Sequence, residues 1–497
     1  MTYHNDNART GQNLSENTLT LGNVNASSFG KRGFYAVDGK VDAQPLYASA
    51  VAIPGKGTHN VLIVASEDDT IYAFDADNGA TLWSTSMLKS GETTSDPRSC
   101  DQVEPEIGVT ATPVIDRKHG PNGTVYLVAM SKSGSSYHQR LHALDLALGT
   151  DLPGSPVDIQ ATYPGSGDNS DGTNVNFDPG QYKERPGLLL LNGIVYTTWA
   201  SHCDIRPYTG WIMGYDASTL AQSSVLNVTP NGNDGAIWMS GGAPAADSAG
   251  NIYVLEANGT FDTTLNASGF PVKSDYGNAF LKISTTGNQL AVADYFEMFN
   301  QATENSTDGD LGSGSPMVLP DLTDGSGQAK RLAVGAGKDA NLYVVDRDSM
   351  GKFDPSRNNI YQEISGAFPG AVFSAPAFFN GTVYIGSVGG PLQGFKMNNA
   401  QLSASAKTAN SFAYPGATPS ISANGANNAI VWAVENTNPA VLHAYDAATL
   451  KELYNSNQAA GGRDQFGAGN KFITPTIANG NVFVGTTNGV AVFGLLH

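Results

Sequence analysis

Four short polar clusters hold the residues of this sequence that could do chemistry. They cover residues 100–106, 202–204, 256–258 and 308–310. Glu256 and Asn258 are two residues apart, as are Asp308 and Asp310, and on an extended strand that spacing places side chains on the same side. Carboxylate and amide oxygens suit Ca²⁺, which takes oxygen ligands at about 2.3–2.6 Å. Such a site could serve a quinone, a sugar with vicinal hydroxyl groups, or nothing beyond the ion.

Each cluster also has a structural explanation, because Asp routinely caps turns by accepting backbone hydrogen bonds. His202 is either a hydrogen-bonded loop histidine or a catalytic base. A disulfide between Cys100 and Cys203 would tie two of the clusters together, and the alternative is two unpaired thiols. Apart from His202 and Cys203, no His and Cys residues have zinc-ligand spacing. The sequence has no nucleophile elbow and no phosphate loop.

The clusters belong to a unit that recurs along the chain. A small residue and a proline open an apolar strand, a strand of the type Val-Tyr-apolar-Gly follows, and a third reads apolar-x-Ala-apolar-Asp before a turn. The clearest copy covers residues 61–83 and ends in Trp83, which we expect to lie between neighbouring units. The strand-opening prolines are Pro45, Pro113, Pro186, Pro244, Pro316, Pro376, Pro419 and Pro475. Eight four-stranded antiparallel sheets of this kind predict an all-β fold, an eight-bladed β-propeller.

The last unit is one strand short. Residues 475–477, 481–485 and 489–493 supply three strands, and residues 34–37 can supply the outer one. The N-terminal segment 1–40 would then complete the last blade and leave no exposed sheet edge. We therefore expect a single propeller domain over residues 1–497. Loops between propeller strands converge on one mouth of the central channel, which would bring the polar clusters together.

The composition excludes several classes of protein. The chain has 497 residues, and 27 Lys and Arg against 45 Asp and Glu give a formal charge of −18. Phosphate binding needs a basic surface, so nucleic acid is excluded as a partner, and no apolar run approaches the roughly 18 residues of a membrane span. We expect a monomer that binds a small molecule or a carbohydrate. The polar, acidic, Lys-poor composition favours a secreted or periplasmic protein whose leader has been replaced by a start Met.

The repeat resembles that of the quinoprotein dehydrogenases, eight-bladed propellers that carry pyrroloquinoline quinone (PQQ) and Ca²⁺. Ala73, Asp75, Gly79 and Trp83 match the blade motif of that family, and residues 5–24 resemble its N-terminal segment. The resemblance implies an oxidoreductase that oxidises an alcohol or a sugar, with PQQ and Ca²⁺ as cofactors.

The resemblance also implies roles for the residues that match family motifs. Asn258, in a turn after a Tyr-bearing strand, takes the place of a Ca²⁺ ligand, and Asp204 offers the carboxylate ligand. Asp310 takes the place of the catalytic base and is a further candidate ligand, as is Glu256 in the cluster of Asn258.

Other positions would surround the quinone. Trp238 would form the floor beneath its ring, and Lys338 would lie beside its oxygens and assist catalysis. Cys100 and Glu106 stand in the segment that faces the cofactor in the family, and His202 is a third candidate catalytic residue.

The sequence departs from the family in that same segment. Where the family often has two adjacent cysteines this chain has Cys100 alone, and the arginine that follows is absent. Glu104 and Glu106 stand there instead and would repel a tricarboxylate quinone. These departures favour a second hypothesis, a secreted Ca²⁺-dependent propeller that binds a carbohydrate or cleaves a polysaccharide. Paired carboxylates would then serve hydrolysis, or His202 would serve elimination. The third hypothesis is a non-catalytic scaffold.

Overall fold

Eight four-stranded antiparallel sheets follow one another along the chain, as the sequence predicts. The structure is a computed structural model that describes residues 1–496. We number the sheets as blades 1 to 8. The strands of blades 1 to 4 are Leu46–Ile53, Gly57–Ala65, Thr70–Asp75 and Thr81–Ser86; Val114–Asp116, Thr124–Ser133, Ser136–Asp145 and Val157–Asp158; Leu189–Leu191, Ile194–Thr198, Trp211–Asp216 and Gln222–Asn227; and Ala245–Ala246, Ile252–Leu255, Phe280–Ser284 and Ala291–Glu297.

The second half of the chain repeats this arrangement. The strands of blades 5 to 8 are Met317–Val318, Leu332–Ala336, Leu342–Asp346 and Gln362–Ile364; Ala377–Phe379, Thr382–Ile385, Gln393–Asn398 and Gln401–Lys407; Ser420–Asn424, Asn427–Glu435, Val441–Asp446 and Glu452–Asn455; and Thr476–Ala478, Asn481–Gly485 and Gly489–Leu495 with Phe29–Ala36. The prediction of an eight-bladed β-propeller is confirmed.

The strand-opening prolines mark the blades because proline lacks an N–H and is tolerated at the first residue of a strand. Seven of the eight first strands begin at the residue directly after a predicted proline, and the exception, in blade 3, begins three residues after Pro186. First strands of most neighbouring blades contact one another, which places them around the central axis.

The ring contains strands from both ends of the chain. Phe29–Ala36 runs antiparallel to Gly489–Leu495, with Phe29 opposite Leu495 and Ala36 opposite Gly489. The strand begins five residues before the predicted position at residue 34. Pairing at this edge gives blade 8 its fourth strand.

Apolar side chains fill the spaces between blades. Ile63 of blade 1 and Leu127 of blade 2 belong to one such core. Trp83 packs against the same core, and its indole N–H donates to the carbonyl of Leu146 in blade 2 at 3.1 Å. A side chain at Gly149 would have its Cβ 2.3 Å from the Trp83 ring, so only glycine fits there. Trp83 therefore lies between two blades, as predicted.

The remaining elements are short. There is one α-helix, Gln301–Thr307, among the described residues, and no helix in that part of the chain is long and apolar enough to span a bilayer. The 3₁₀ segments are Met239–Gly241, Thr286–Asn288, Leu311–Ser313 and Ala460–Gly462. The additional strands are Gln12–Asn13, Thr93–Thr94, Thr162–Pro164, Asn174–Asn176, Tyr182–Lys183, Ala200–Ser201, Leu322–Thr323, Ala329–Lys330 and Lys352–Phe353.

Residues 1–13, which we call the axial segment, lie along the inside of the ring and are bonded to every blade or to the residues just before its first strand. Its partners, from blade 1 to blade 8, are Gln44, Ile115, Leu190, Ala246, Val318, Phe378, Ile421 and Ile477. Tyr3 packs with Ala243 and Ala375, and its hydroxyl bonds the hydroxyl of Thr474 at 3.1 Å. The axial segment therefore fills the channel.

Arg9 of the axial segment is fully buried. Its guanidinium donates to the carbonyls of Pro244 at 2.8 Å, Tyr3 at 2.9 Å, Asp6 at 3.2 Å and Leu188 at 3.4 Å. It also donates to the hydroxyl of Thr2 at 2.7 Å. Every nitrogen of this buried cation thus has a partner, which offsets the cost of removing it from water.

Candidate functional site

A cavity of about 240 Å³ lies at one mouth of the channel. Its lining comes from segments that precede first strands or follow second strands, so almost every blade contributes. Tyr3 of the axial segment lies near the lining residue Arg185. Burial raises the pKa of Tyr3 to about 12, and the guanidinium of Arg185 opposes that rise. The cavity and the axial segment are therefore neighbours.

One side of the cavity, the acidic wall, consists of Asp308, Asp310, Lys338 and Asn258. Lys338 Nζ lies 2.5 Å from Asp308 Oδ1 and 2.5 Å from Asp310 Oδ1. Asp310 Oδ2 accepts a bond from the indole N–H of Trp238 at 3.2 Å, and Asn258 Nδ2 donates to Asp308 Oδ1 at 2.8 Å. One ammonium group thus bridges two carboxylates.

The backbone around Asp310 fixes this wall. Helix Gln301–Thr307 ends at Asp308 in the left-handed region, φ 59°, and a 3₁₀ turn begins directly after Asp310. The amide of Leu311 donates to Asn278 Oδ1 at 2.7 Å, and the amide of Lys338 donates to the carbonyl of Asp310 at 2.9 Å. Asp310 and Lys338 are therefore joined through main chain as well as side chain.

Burial controls the proton affinity of the pair. Asp310 is only 1% exposed, and burial raises its pKa to about 6, against the opposing effect of Lys338. Burial lowers the pKa of Lys338, but the carboxylates of Asp310 and Asp308 outweigh it, so the net shift is upward. A carboxyl group whose pKa is about 6 can accept and release a proton near neutral pH.

Trp238 is positioned by a strained turn. The next three residues, Met239, Ser240 and Gly241, have φ of 42°, 48° and 80°, and the first two are not glycine. Ser240 Oγ donates to the carbonyl of Ser313 at 2.5 Å, next to the acidic wall. Backbone strain of this kind persists only where surrounding contacts enforce it, and it clusters at functional sites.

Aromatic rings cover the opening beside Trp238. Its ring centroid is 5.8 Å from that of Phe373 and 6.2 Å from that of Phe472. Tyr414 packs edge-on against both phenylalanines, and Lys338 Nζ lies 5.6 Å from the Trp238 centroid. A ligand entering the cavity therefore contacts aromatic surface and charge together.

Three cations, Lys183, Arg185 and Lys471, form what we call the cationic wall. The sequence reasoning missed them because Lys183 and Arg185 belong to no blade repeat and Lys471 has no polar cluster around it. Their signal was present: Lys183 and Arg185 alternate directly before Pro186, in a chain with only 27 Lys and Arg among 497 residues. Although the chain has a formal charge of −18, these positions bring three cations to the cavity.

The structure brings five of the predicted site residues to the cavity: Trp238, Lys338, Asn258, Asp204 and Asp310. Asp204 Oδ1 accepts from Ser201 Oγ at 2.7 Å and from the Tyr208 hydroxyl at 3.1 Å. Four others, Cys100, Glu106, His202 and Glu256, are not among the lining residues.

Glu256 lies away from the cavity because the strand that precedes it ends at Leu255, so the alternation of a strand does not extend to Asn258. Its carboxylate is fully buried without a hydrogen-bond partner in the described chain. Burial, and to a smaller extent the nearby charge of Glu297, raises its pKa well above the usual range. Glu106 lies near Asp68, and Glu104 is exposed. Neither residue lines the cavity, so neither would face a ligand bound there.

Cys100 and Cys203 form the disulfide that the sequence suggested. Lys183 Nζ lies 3.3 Å from Cys100 Sγ. The adjacent His202 places Nε2 2.5 Å from the carbonyl of Pro97, and burial lowers its pKa to about 4, with Lys183 adding to the shift. The disulfide thus holds the loop of Gln102 and Val103, which line the cavity, next to the cationic wall.

The acidic wall does not fit the Ca²⁺ site that the resemblance implies. Among residues 1–496, no group of three or more His, Cys, Asp or Glu side chains is placed to hold a metal ion. The ammonium group of Lys338 already bridges the carboxylates of Asp308 and Asp310. A Ca²⁺ ion at the same oxygens would meet the ammonium group as a like charge.

Comparison with known proteins supports the fold. The chain is an eight-bladed propeller with a charged, aromatic cavity at its mouth, and no family model and no curated protein matches its sequence. Among solved structures it is similar to the quinohemoprotein alcohol dehydrogenase of Comamonas testosteroni, at TM-score 0.64 and 14% identity over 99% of this chain and 80% of the other.

Two further structures show how widely the fold is shared. A europium-containing methanol dehydrogenase is similar at TM-score 0.58 and 12% identity, over 99% of this chain and 98% of the other. BamB from Moraxella catarrhalis is similar at TM-score 0.50 and 14% identity, over 94% and 98%. The likeness is one of fold, so function must be argued from the cavity.

Proposed function

We propose that this protein is an exported oxidoreductase that oxidises a hydroxyl group of an alcohol or sugar at the mouth of its propeller, with a quinone as cofactor. The observation that carries the proposal is the buried Asp310, bonded at once to Lys338 and Trp238 in the wall of a ligand-sized cavity. The disulfide Cys100–Cys203 supports export, because such bonds persist in oxidising compartments.

Asp310 is the general base of this proposal. Its Oδ2 accepts only the 3.2 Å bond from Trp238, so a lone pair is left to take the substrate hydroxyl proton. Its raised pKa, about 6, suits a group that must accept and then release a proton near neutral pH. Lys338 remains protonated beside it and stabilises negative charge that develops on the substrate oxygen.

The residues fit a planar, anionic quinone better than they fit a metal ion. Trp238 offers a ring face next to the base, and the cationic wall supplies positive charge that no protein carboxylate pairs with. A quinone held by Trp238 and the cationic wall would supply the two-electron acceptor that oxidation of the substrate requires. Lys338 supplies the fixed positive charge of the acidic wall, so no metal ion enters the proposal.

The test is a titration of the purified protein with PQQ, followed by tryptophan fluorescence and by the absorbance of the quinone. We expect saturable binding, and reduction of an electron-accepting dye when alcohols or sugars are added. Asp310→Asn should retain PQQ binding and lose dye reduction by about 10²–10⁴-fold, the usual contribution of a general base. Glu104→Gln, an exposed carboxylate outside the cavity, is the matched control. Failure to bind PQQ at high micromolar concentration would exclude the proposal.

One observation favours a second candidate, the binding or eliminative cleavage of an acidic polysaccharide. Lys183, Arg185 and Lys471 could neutralise the carboxylates of uronate units, as elimination next to such a carboxylate requires. Incubation with oligogalacturonate and detection of unsaturated products by ultraviolet absorbance tests this candidate. Product formation without PQQ would favour it over the dehydrogenase.

A further inference from the structure

The cationic wall holds positive charge that forms no ion pair in the described part of the chain, and two of its three residues are buried. Glu67 and Asp204 near Lys183, and Asp42 and Asp101 near Lys471, oppose only part of the lowering of each lysine's pKa. Lys183 is 2% exposed and Arg185 is 6% exposed. Lys183 Nζ contacts Cys100 Sγ and Lys471 Nζ donates to the carbonyl of Asp101 at 3.4 Å. In the described part of the chain Arg185 makes no hydrogen bond and none of the three forms an ion pair with a carboxylate.

Such an arrangement is costly in the free protein. A buried cation is normally paired with an anion or saturated with hydrogen bonds, and these three are also close enough to repel one another. Burial, followed by Arg185 and Lys471, lowers the pKa of Lys183 to about 8. Burial also lowers the pKa of Lys471. A bound anion would remove the cost.

The wall is also rigid. The strand pair Tyr182–Lys183 with Ala200–Ser201 fixes Lys183. Arg185 lies against Gly241, where a Cβ would come within 2.3 Å of its guanidinium nitrogen Nη1, and over the ring of Phe472 at 5.5 Å. The charges are therefore held in place before any ligand arrives, which lowers the entropic cost of binding.

The three charges are spread along an arc of the mouth. Lys183 and Arg185 enter from the segment before blade 3, whereas Lys471 enters from the segment before blade 8, and blades 1 and 2 lie between. A ligand with a single anionic group would leave part of the wall unpaired. A ligand with two or more separate carboxylates would pair all of it, and the arginine fork suits a carboxylate.

We propose that the cationic wall of Lys183, Arg185 and Lys471 is a binding site for molecules that carry two or more carboxylate groups. The site shares its cavity with Asp310 and does not require that the carboxylates belong to a cofactor rather than to a substrate. It depends on neither candidate function, because it requires only the cations and the cavity.

The experiment measures binding of trimesate, a benzene ring with three carboxylates, by isothermal titration calorimetry on the full chain. We expect saturable binding of trimesate, no binding of its trimethyl ester, and weaker binding of inorganic phosphate. Arg185→Met and Lys183→Met should each weaken trimesate binding at least tenfold, whereas the exposed Lys451→Met should not change it. Arg185→Lys, which keeps the charge, should bind between wild type and Arg185→Met and shows whether loss of binding reflects misfolding.

The same titration with PQQ and with trigalacturonate separates the sources of the carboxylates. Trimesate binding without PQQ binding supports the site and rejects the quinone. PQQ binding that is unchanged in Arg185→Met, or equal affinity for trimesate and its ester, overturns the site and leaves the quinone proposal intact. Phosphate binding as tight as trimesate overturns the requirement for several carboxylates.

Discussion

Two arginines lie near the axis of this propeller, and their surroundings are opposite. Arg9 is fully buried in the axial segment and donates five hydrogen bonds. Arg185 is 6% exposed at the edge of the cavity and lacks any hydrogen-bond partner in the described chain. The two arginines therefore differ little in burial and greatly in the number of hydrogen bonds that they donate.

The difference teaches how to distinguish structure from function in a buried charge. The bonds of Arg9 end on carbonyls and a hydroxyl of its own protein, so its charge is used by the fold. Arg185 lines a cavity without a hydrogen-bond partner in the described chain, and Lys183 and Lys471 beside it form no ion pair there, so we infer that this charge is left for a ligand. Substitutions at the two sites should accordingly affect different measurements.

The largest effect is expected for Arg9→Ala. Removing the guanidinium leaves the carbonyls before blades 3 and 4, and two carbonyls of the axial segment, without this donor, and we expect the free energy of unfolding to fall by about 3–5 kcal/mol. Chemical denaturation followed by tryptophan fluorescence measures this change. An unchanged unfolding midpoint would show that water replaces the guanidinium and that the comparison of the two arginines fails.

The next effect concerns the disulfide, which restrains only the region of the cavity. Cys100 and Cys203 are 103 residues apart in sequence, so the double substitution to Ser should cost about 2–4 kcal/mol of unfolding free energy. It should also weaken trimesate binding, because Lys183 contacts Cys100 Sγ. Calorimetric unfolding with and without a dithiol reductant gives the measurement, and the double variant should not respond to the reductant.

A smaller effect is expected from pH, because the pKa of Lys183 is lowered to about 8 by burial and then by Arg185 and Lys471. Glu67 and Asp204 act in the opposite direction. Lys183 is charged below that pKa and neutral above it, so trimesate affinity should fall as pH rises through about 8. The loss of one charge should weaken binding by up to about tenfold, which titrations from pH 6 to roughly pH 10 would measure.

The control for this pH profile is Lys183→Met, whose trimesate affinity should change less than that of wild type around pH 8, because Lys471, whose pKa burial also lowers, is the remaining lysine of the wall. His202 lies beside Lys183, but its pKa is lowered to about 4 and it stays neutral throughout. A wild-type profile without a decrease would show that another group carries the charge.

The smallest effect is expected for Arg185→Met on stability. Removing an unpaired, buried charge should leave the free energy of unfolding unchanged or raise it by up to about 1 kcal/mol. The same denaturation experiment used for Arg9→Ala measures it. A loss as large as that of Arg9→Ala would mean that Arg185 serves the fold, and the contrast between the two arginines would disappear.

Much of the architecture could be predicted because the signals of the blade repeat act between residues that are close in sequence. A proline at the start of a strand and an Asp before a turn act within a few residues, so Pro244 or Pro475 marks a blade in the sequence alone. Trp238 and Asp310 were found through the resemblance to the quinoprotein dehydrogenases, and each precedes a strand-opening proline by six residues. Their meeting in one cavity follows from the ring.

The cationic wall could not be predicted because its residues act through distant neighbours. Lys183 and Lys471 are nearly 300 residues apart in sequence and come together only when the ring closes. Arg185 is buried and has no hydrogen-bond partner in the described chain, and both facts can be seen only in the folded molecule. Glu256 shows the converse, since a regular alternation suggested a ligand where the strand had already ended.

Blade 8 has a consequence for the order of events during synthesis. Phe29 pairs with Leu495, which lies 466 residues later in the sequence. The axial segment likewise has partners in every blade, so it has no complete binding surface until all eight exist. Phe29–Ala36 and the axial segment must therefore stay without these partners until the strands of blade 8 have been made, and closure of the ring depends on long-range contacts of the kind that slow folding.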